Sequence, residues 1–154
     1  MEFVFWFSLV MIGYAYFGYP LLLALLFLWQ WKPVGRDEAC RPFVSLIVTV
    51  HNEQDRIQEK IDNTLALTYP AEKREILFAS DASTDRTEEI IRACPGVRLV
   101  RSPERRGKEF AQKCAVDQAA GEILVFSDVA TMLEPDGLEN IVASFADPGV
   151  GCVS

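Results

Sequence analysis

Hydrophobic and polar positions fall into two regimes along this chain, with the change near residue 30. From Phe3 to Trp29 no residue is charged and almost every side chain is apolar. About 20 apolar residues cross the hydrocarbon core of a bilayer, so this run predicts one transmembrane helix with length to spare for tilt. Tyr14, Tyr16, Tyr19, Trp29 and Trp31 add the interfacial character of such spans, and Gly13, Gly18 and Pro20 are tolerated in them. A buried soluble helix and a cleaved signal peptide are the competing readings. The run is long for a signal peptide, has no basic stretch before it and lacks a small-x-small site at its end. Lys32 to Pro42, with two prolines and a glycine, predicts a linker. The expected organisation is therefore an anchor over 1–31, a linker over 32–42 and a folded domain over 43–154.

Within the domain the pattern alternates between two periods. Val44 to Val50 (VSLIVTV) is a continuous, β-branched apolar run, as expected for a strand buried on both faces of a parallel sheet. His51-Asn52-Glu53 breaks it. Ile57, Ile61 and Leu65 then recur every four residues on one face of a helix, which Tyr69-Pro70 ends. Glu75 to Ala79 predicts a second strand and Ser80 to Asp85 a polar turn. Asp85 and Glu88 are spaced for a capping box on a helix running to about Ala93, and Pro95-Gly96 stops it. Val97 to Val100 predicts a third strand. Gly107 to Ala120 predicts a helix with Gly121 as its C-cap. Ile123 to Phe126 predicts a fourth strand ending in Ser127-Asp128, Asp136 to Phe145 a further helix, and Val150 to Ser154 the start of a fifth strand. Strand and helix in alternation mean an α/β fold with a mostly parallel sheet. In such sheets ligands bind outside the carboxyl ends of the strands, where His51-Asn52-Glu53, Asp81 and Asp128 are expected to lie.

Composition narrows the ligand. The formal net charge of −7 disfavours nucleic acid, which needs clustered Lys and Arg. Arg101, Arg105, Arg106 and Lys108 form a local basic patch, open to two readings: a solvated loop or a phosphate-facing one. Cys40, Cys94, Cys114 and Cys152 are widely spaced, without a C-x-x-C, and the chain has one His. The expectation is buried free thiols in a reducing compartment rather than a zinc site or disulfides. Lys32, Arg36 and Arg41 flank the apolar run on its C-terminal side, which by the positive-inside rule places the domain in the cytoplasm and the N-terminus outside.

Three acidic strand ends would converge on one edge of the sheet. A carboxylate accepts hydrogen bonds from a base N–H or a ribose hydroxyl, and it holds Mg²⁺ or Mn²⁺, which neutralises phosphate. Without a metal, carboxylates facing a diphosphate repel it, so this arrangement favours a divalent cation. Read in order, VSLIVTVHNE, EILFASDASTDRT, RRGKEFAQKCA and GEILVFSDVATMLEPDGL resemble the successive motifs of family 2 glycosyltransferases. The resemblance covers nearly all of Phe43 to Phe145. It implies a GT-A fold, a nucleotide-binding αβα sandwich, here preceded by one transmembrane helix.

The resemblance also assigns residues. It implies that Thr49, His51 and Glu53 border the nucleotide base, with His51 in place of the usual aromatic. Asp81 matches a base-binding Asp, and Ser80 stands where a second Asp is common. Lys108 matches a Gly-Lys pair near the nucleotide. Asp128 takes the first position of the Asp-x-Asp motif that binds metal and sugar-diphosphate, and Ala130, which cannot ligate, takes the third. Local readings stay open beside these: Asn52 as a turn or cap residue, Glu53 as a helix N-terminal charge, Ser83, Thr84 and Asp85 as caps, Lys108 as a solvated side chain, and Asp136 as a helix-start residue. The implied function is transfer of a sugar from a nucleotide-sugar to an acceptor hydroxyl, saccharide or lipid-linked, at a membrane, in surface polysaccharide or glycolipid synthesis. In that family the catalytic base and an acceptor-side motif come later in the domain. The expectation is thus that these 154 residues form its nucleotide-binding, N-terminal part and are inactive alone. A membrane-anchored nucleotide-binding module without catalysis is the alternative, and a receiver-like signalling domain a more distant one.

Overall fold

The structure, a computed structural model, describes residues 1–30 and 34–153. Trp31, Lys32, Pro33 and Ser154, on which expectations were placed, lie outside the described residues. The chain forms two units, Met1–Val34 and Gly35–Ser154.

The first unit is helical: α1 (Glu2–Gly13), a π-helical segment at Tyr14–Gly18, and α2 (Tyr19–Gln30). The wide turn sits directly before Pro20. Proline has no N–H and its ring crowds the carbonyl four residues back, and a π-turn opens the ladder where that carbonyl would otherwise be met. Gly18 lets the Tyr14 ring lie against the backbone; a Cβ there would fall 2.8 Å from a Tyr14 ring carbon. Glu2–Trp29 is long and apolar enough to cross a membrane, and none of its candidate span is buried within the protein.

The second unit is a four-stranded, wholly parallel sheet between helices. Its elements are β1 (Val44–Val50), α3 (Ile57–Leu65), β2 (Arg74–Ser80), α4 (Thr87–Ala93), β3 (Arg98–Arg101), α5 (Lys108–Val116), β4 (Ile123–Asp128) and α6 (Gly137–Val142), the last continued by a 3₁₀ turn at Ala143–Ala146. The strand order is β3-β2-β1-β4. The chain winds outward from β1 to β3, then crosses back to lay β4 on the other side of β1. The β1/β4 boundary is therefore the switch point of the sheet. Register aligns the strand ends there: Val50 pairs with Ser80, and Thr49 with Asp128.

Side chains alternate across the sheet with period two. Val44, Leu46, Val48 and Val50 point to the layer made by α3, α4 and α6. Ile47, Leu77, Ala79 and Val100 point to α5, whose Ala111 and Ala115 allow close approach. This is the expected αβα sandwich, with strands and helices where the pattern placed them to within a few residues.

Four local expectations are corrected. Leu65 is 38 % exposed, and the buried stripe of α3 is Ile57, Lys60, Ile61 and Thr64. Gly121 is not a C-cap, because α5 ends at Val116. Its N–H donates to Ser45 Oγ at 2.8 Å, and the glycine lies flat against β1. The fifth strand is not formed by residues 150–153. Asp147 gathers the preceding segment into a turn, accepting from Gly149 N–H through its carboxylate and from Val150 N–H through its carbonyl. The four cysteines are free, as expected, but three are half-buried and Cys152 is exposed, so they are not core thiols.

The capping-box expectation also fails, and with consequence. Asp85 Oδ1 accepts from the Thr87 N–H at 3.0 Å, while Glu88 turns inward, 5 % exposed. Glu88 accepts from Ser80 Oγ at 2.7 Å, from Arg92 at 2.9 Å and from Arg101. Burial pushes its carboxyl up, but the hydrogen bonds from Ser80, Arg101 and Arg92 and the Arg101 charge outweigh that, holding it below its ordinary value of 4.5. A depressed folded-state value stabilises the fold above the unfolded value, and that stability is lost as pH falls through the folded one. Glu88→Gln should cost about 1.5–3 kcal/mol at pH 7. It should also flatten the fall of melting temperature below pH 4.5. An unchanged acid limb in a pH series of thermal melts would remove Glu88 from this role.

Candidate functional site

The strand ends build one cleft of about 190 Å³, lined by Thr49, Val50, His51, Glu53, Asp81, Lys108 and Asp128. The structure thus brings together Thr49, His51, Glu53, Asp81, Lys108 and Asp128, and adds Val50. Asn52 stands beside the cleft as a turn residue. Its φ is +53°, a conformation that asparagine adopts more readily than most residues. Its side chain ties two loops, Oδ1 accepting the Thr84 N–H at 2.8 Å while its own N–H donates to Ser83 Oγ at 3.2 Å. The Glu53 N–H adds a bond to Thr87 Oγ1 at 2.8 Å. The loops after β1 and β2 are therefore one latched unit, and Ser83, Thr84 and Asp85 act in the latch.

Each cleft group has a defined presentation. Asp81 is 6 % exposed. Its Oδ1 accepts the Arg106 N–H at 3.0 Å, and both its oxygens face the Gly107 N–H, at 3.1 and 3.0 Å. Gly107, at φ +96°, supplies a backbone conformation that L side chains rarely adopt. His51 Nδ1 lies 2.8 Å from the Asp81 carbonyl. A carbonyl only accepts, so Nδ1 carries the hydrogen, and Nε2 is left for a ligand. Thr49 Oγ1 is buried without a hydrogen-bond partner. Lys108 Nζ is 2.7 Å from Asp128 Oδ1, both side chains about half exposed.

The basic patch divides. Arg101 goes to Glu88, and Arg106 stacks over Phe110 at 4.5 Å. Of the four basic residues, Lys108 lines the cleft. A larger hollow of about 310 Å³, lined by Glu38, Arg41, Asp136, Glu139, Asn140 and Ala143, is formed by α6 and the segment before β1. Its Arg41 is paired with Glu139 at 3.2 Å, and the hollow lies away from the carboxyl ends of the strands, where ligands bind in parallel sheets. Asp136 opens α6, as a helix-start residue should.

Among the described residues no three His, Cys, Asp or Glu side chains are grouped to hold a metal. Asp128 presents one carboxylate, which suits a cation that keeps several waters and takes its other ligands from substrate phosphates. Lys60, which the sequence reading missed, lies beneath this corner. Its ammonium donates to Ser127 Oγ at 2.9 Å and to the Thr131 carbonyl. Burial lowers its pKa, against the Asp128 charge, which raises it. The available signal was a lysine between Ile57 and Ile61 on the apolar stripe of α3.

The model of glycosyl transferase family 2 matches residues 45–154. The chain belongs to that family. Glycosyltransferase AglE of Haloferax volcanii is 33% identical over 116 residues, which is 73% of this chain and 38% of that protein. Poly-beta-1,6-N-acetyl-D-glucosamine synthase of Staphylococcus aureus is 30% identical over 115 residues, 72% of this chain and 27% of that protein. A mannosyltransferase from Pyrobaculum calidifontis, solved in complex with GDP-Man and Mn²⁺, superposes with a TM-score of 0.80 at 38% identity, over 94% of this chain and 46% of its own. That likeness gives this family 2 chain the GT-A type of fold. The chain spans less than half the length of each of these relatives.

Proposed function

We propose that the protein to which this chain belongs transfers a sugar from a nucleotide-sugar to an acceptor hydroxyl, and that the cleft binds the donor's nucleotide diphosphate. The observation that carries the reading is the convergence of three acidic strand ends and Lys108 at the switch point of a family 2 sheet. In this reading Asp81, His51 Nε2, Glu53 and the unpartnered Thr49 Oγ1 face the nucleoside. A ligand donor or acceptor would satisfy the buried Oγ1. Lys108 leaves Asp128 for the phosphates. Asp128, with phosphate and water, would hold Mg²⁺ or Mn²⁺. The metal would stabilise the negative charge that develops on the leaving diphosphate.

The transfer is a single inverting displacement, and it needs a base for the acceptor hydroxyl. None of the cleft acids takes that role here. The base and the acceptor site are assigned to the part of the longer relatives that this chain does not cover, so residues 1–154 alone are expected to bind donor without turnover. The Glu2–Trp29 helix serves as membrane anchor with the domain cytoplasmic, as Arg36 and Arg41 on its C-terminal flank favour. The acceptor is a saccharide or lipid-linked saccharide of surface polysaccharide or glycolipid synthesis.

Calorimetry of the chain in detergent with GDP and UDP, with and without Mn²⁺, tests the reading. Binding of at least one, tightened by Mn²⁺, is expected; no binding of either rejects the site. Thiol labelling of intact cells tests orientation, since Cys152 is exposed on the domain and should react only after permeabilisation.

A further inference from the structure

Lys60 is the one lysine with no exposed surface, 0 % by area among the described residues. Burying an ammonium is expensive unless its protons are used, and a Met or Leu would fill this apolar stripe at no such cost. The partners it uses are specific. Ser127 Oγ and the Thr131 carbonyl lie on the two sides of Asp128, and the Thr131 N–H closes the same turn onto the Asp128 carbonyl at 3.2 Å. One helical turn further along α3, Asn63 pins the next part of the loop, accepting the Leu133 N–H at 3.0 Å and donating to the Leu133 carbonyl at 2.8 Å. Helix α3 therefore grips the loop at two points, one cationic and one neutral. The cleft above has three carboxylates, Glu53, Asp81 and Asp128, against one lysine, Lys108. That balance repels a diphosphate, and a second cation beneath it lowers the repulsion.

We propose that Lys60 is a positioning residue for the diphosphate end of the site: it fixes the turn that aims Asp128 and supplies a buried positive charge under the place where phosphate and metal arrive. The inference rests on the nucleotide-diphosphate reading above. Lys60 would also compensate in part for Ala130 in the third position of the motif, where a second carboxylate would have helped to hold the cation that neutralises phosphate.

The test compares Lys60→Met, Lys60→Arg and Asn63→Ala in the full chain. Affinities for GDP and UDP with Mn²⁺, and for guanosine and uridine, are read by calorimetry, with hydrogen exchange of residues 127–133 in parallel. Both Lys60→Met and Asn63→Ala should speed exchange in the loop. Lys60→Met should weaken diphosphate binding about tenfold or more while nucleoside binding stays within about twofold, and Lys60→Arg should recover most of the loss, as for a charge-assisted contact. Asn63→Ala should leave diphosphate affinity within about threefold. Equal losses in Lys60→Met and Asn63→Ala, or an equal loss for nucleoside and diphosphate, would mean that Lys60 only props the loop and would overturn the proposal. If Lys60→Met does not fold, Ser127→Ala, which removes one acceptor and keeps the charge, must retain diphosphate affinity while Lys60→Arg binds; loss in both overturns it as well. A wild-type chain that binds neither diphosphate rejects the nucleotide reading itself, and this inference with it; a wild-type chain that binds while Lys60→Met binds equally rejects the inference alone.

Discussion

Asp128→Ala should remove the metal-dependent part of nucleotide diphosphate binding and leave the metal-free part equal or slightly stronger. Two effects of opposite sign produce this. Asp128 is the cleft carboxylate at the β1/β4 switch point, beside Thr49 in register, and the donor set otherwise lacks a grouped metal site among the described residues. Without Asp128 the proposed cation would keep only phosphate and water. Yet Asp128 also holds Lys108 at 2.7 Å, and its loss frees that ammonium for the phosphates. Asp81→Ala should behave differently, weakening binding with or without metal, because Asp81 organises the Arg106–Gly107 backbone and is the residue proposed above to face the nucleoside. For the transfer reaction proposed above, loss of several kcal/mol of leaving-group stabilisation would mean a fall in rate of about 10²-fold or more. Calorimetry with and without Mn²⁺ separates the two variants. Persisting Mn²⁺ enhancement in Asp128→Ala would move the metal elsewhere.

Gly121→Ala should strongly destabilise the second unit. A Cβ at this position would stand 2.3 Å from the Ser45 backbone nitrogen and 2.8 Å from the Val44 carbonyl carbon. Both belong to β1, the strand paired on both sides, and both residues are wholly buried. Backbone in the middle of a sheet cannot give way as a flexible side chain does. The same displacement would break the Gly121 N–H bond to Ser45 Oγ and the neighbouring Ala120 N–H bond to Glu75 at 2.6 Å. Overpacking costs about 1–3 kcal/mol in a core that can relax; here the cost should be about 3 kcal/mol or more, a large share of a domain's total of about 5–15 kcal/mol. Gly151→Ala, where nothing lies within 4 Å, is the control and should stay within about 0.5 kcal/mol. Thermal melts of the two variants decide it: a Gly121→Ala melting temperature within about 2 °C of the parent would show that β1 is far more pliable than its pairing implies.

Most of the fold was legible along the chain because hydrophobic period is a local property. The seven-residue, β-branched run VSLIVTV fits a strand covered on both faces, and it is β1 with that burial. The polar residues that follow each strand had to collect on one edge once the strands were parallel, and the structure collects them in one cleft. Family motifs then named the same residues. The misreadings share a cause. Leu65 fits an i, i+4 series on paper, but α3 is rotated so that Lys60 and Thr64 face inward. Glu88 has capping-box spacing, but a buried serine and two arginines offer its carboxylate more than one backbone N–H does. Gly121 sits where C-caps sit, yet its need for no side chain comes from β1.

By itself, then, the sequence determined the apolar helix, the α/β alternation, the family and the acidic strand ends, since each depends on residue types at short spacing. Tertiary structure alone decided which polar groups meet. Lys60 reaches Ser127 across 67 positions, Asn52 latches the Ser83 loop across 31, and Lys108 claims Asp128 from another element. Such pairings follow from the β3-β2-β1-β4 order and its register, which bring distant segments within hydrogen-bond reach, and no local period encodes that distance.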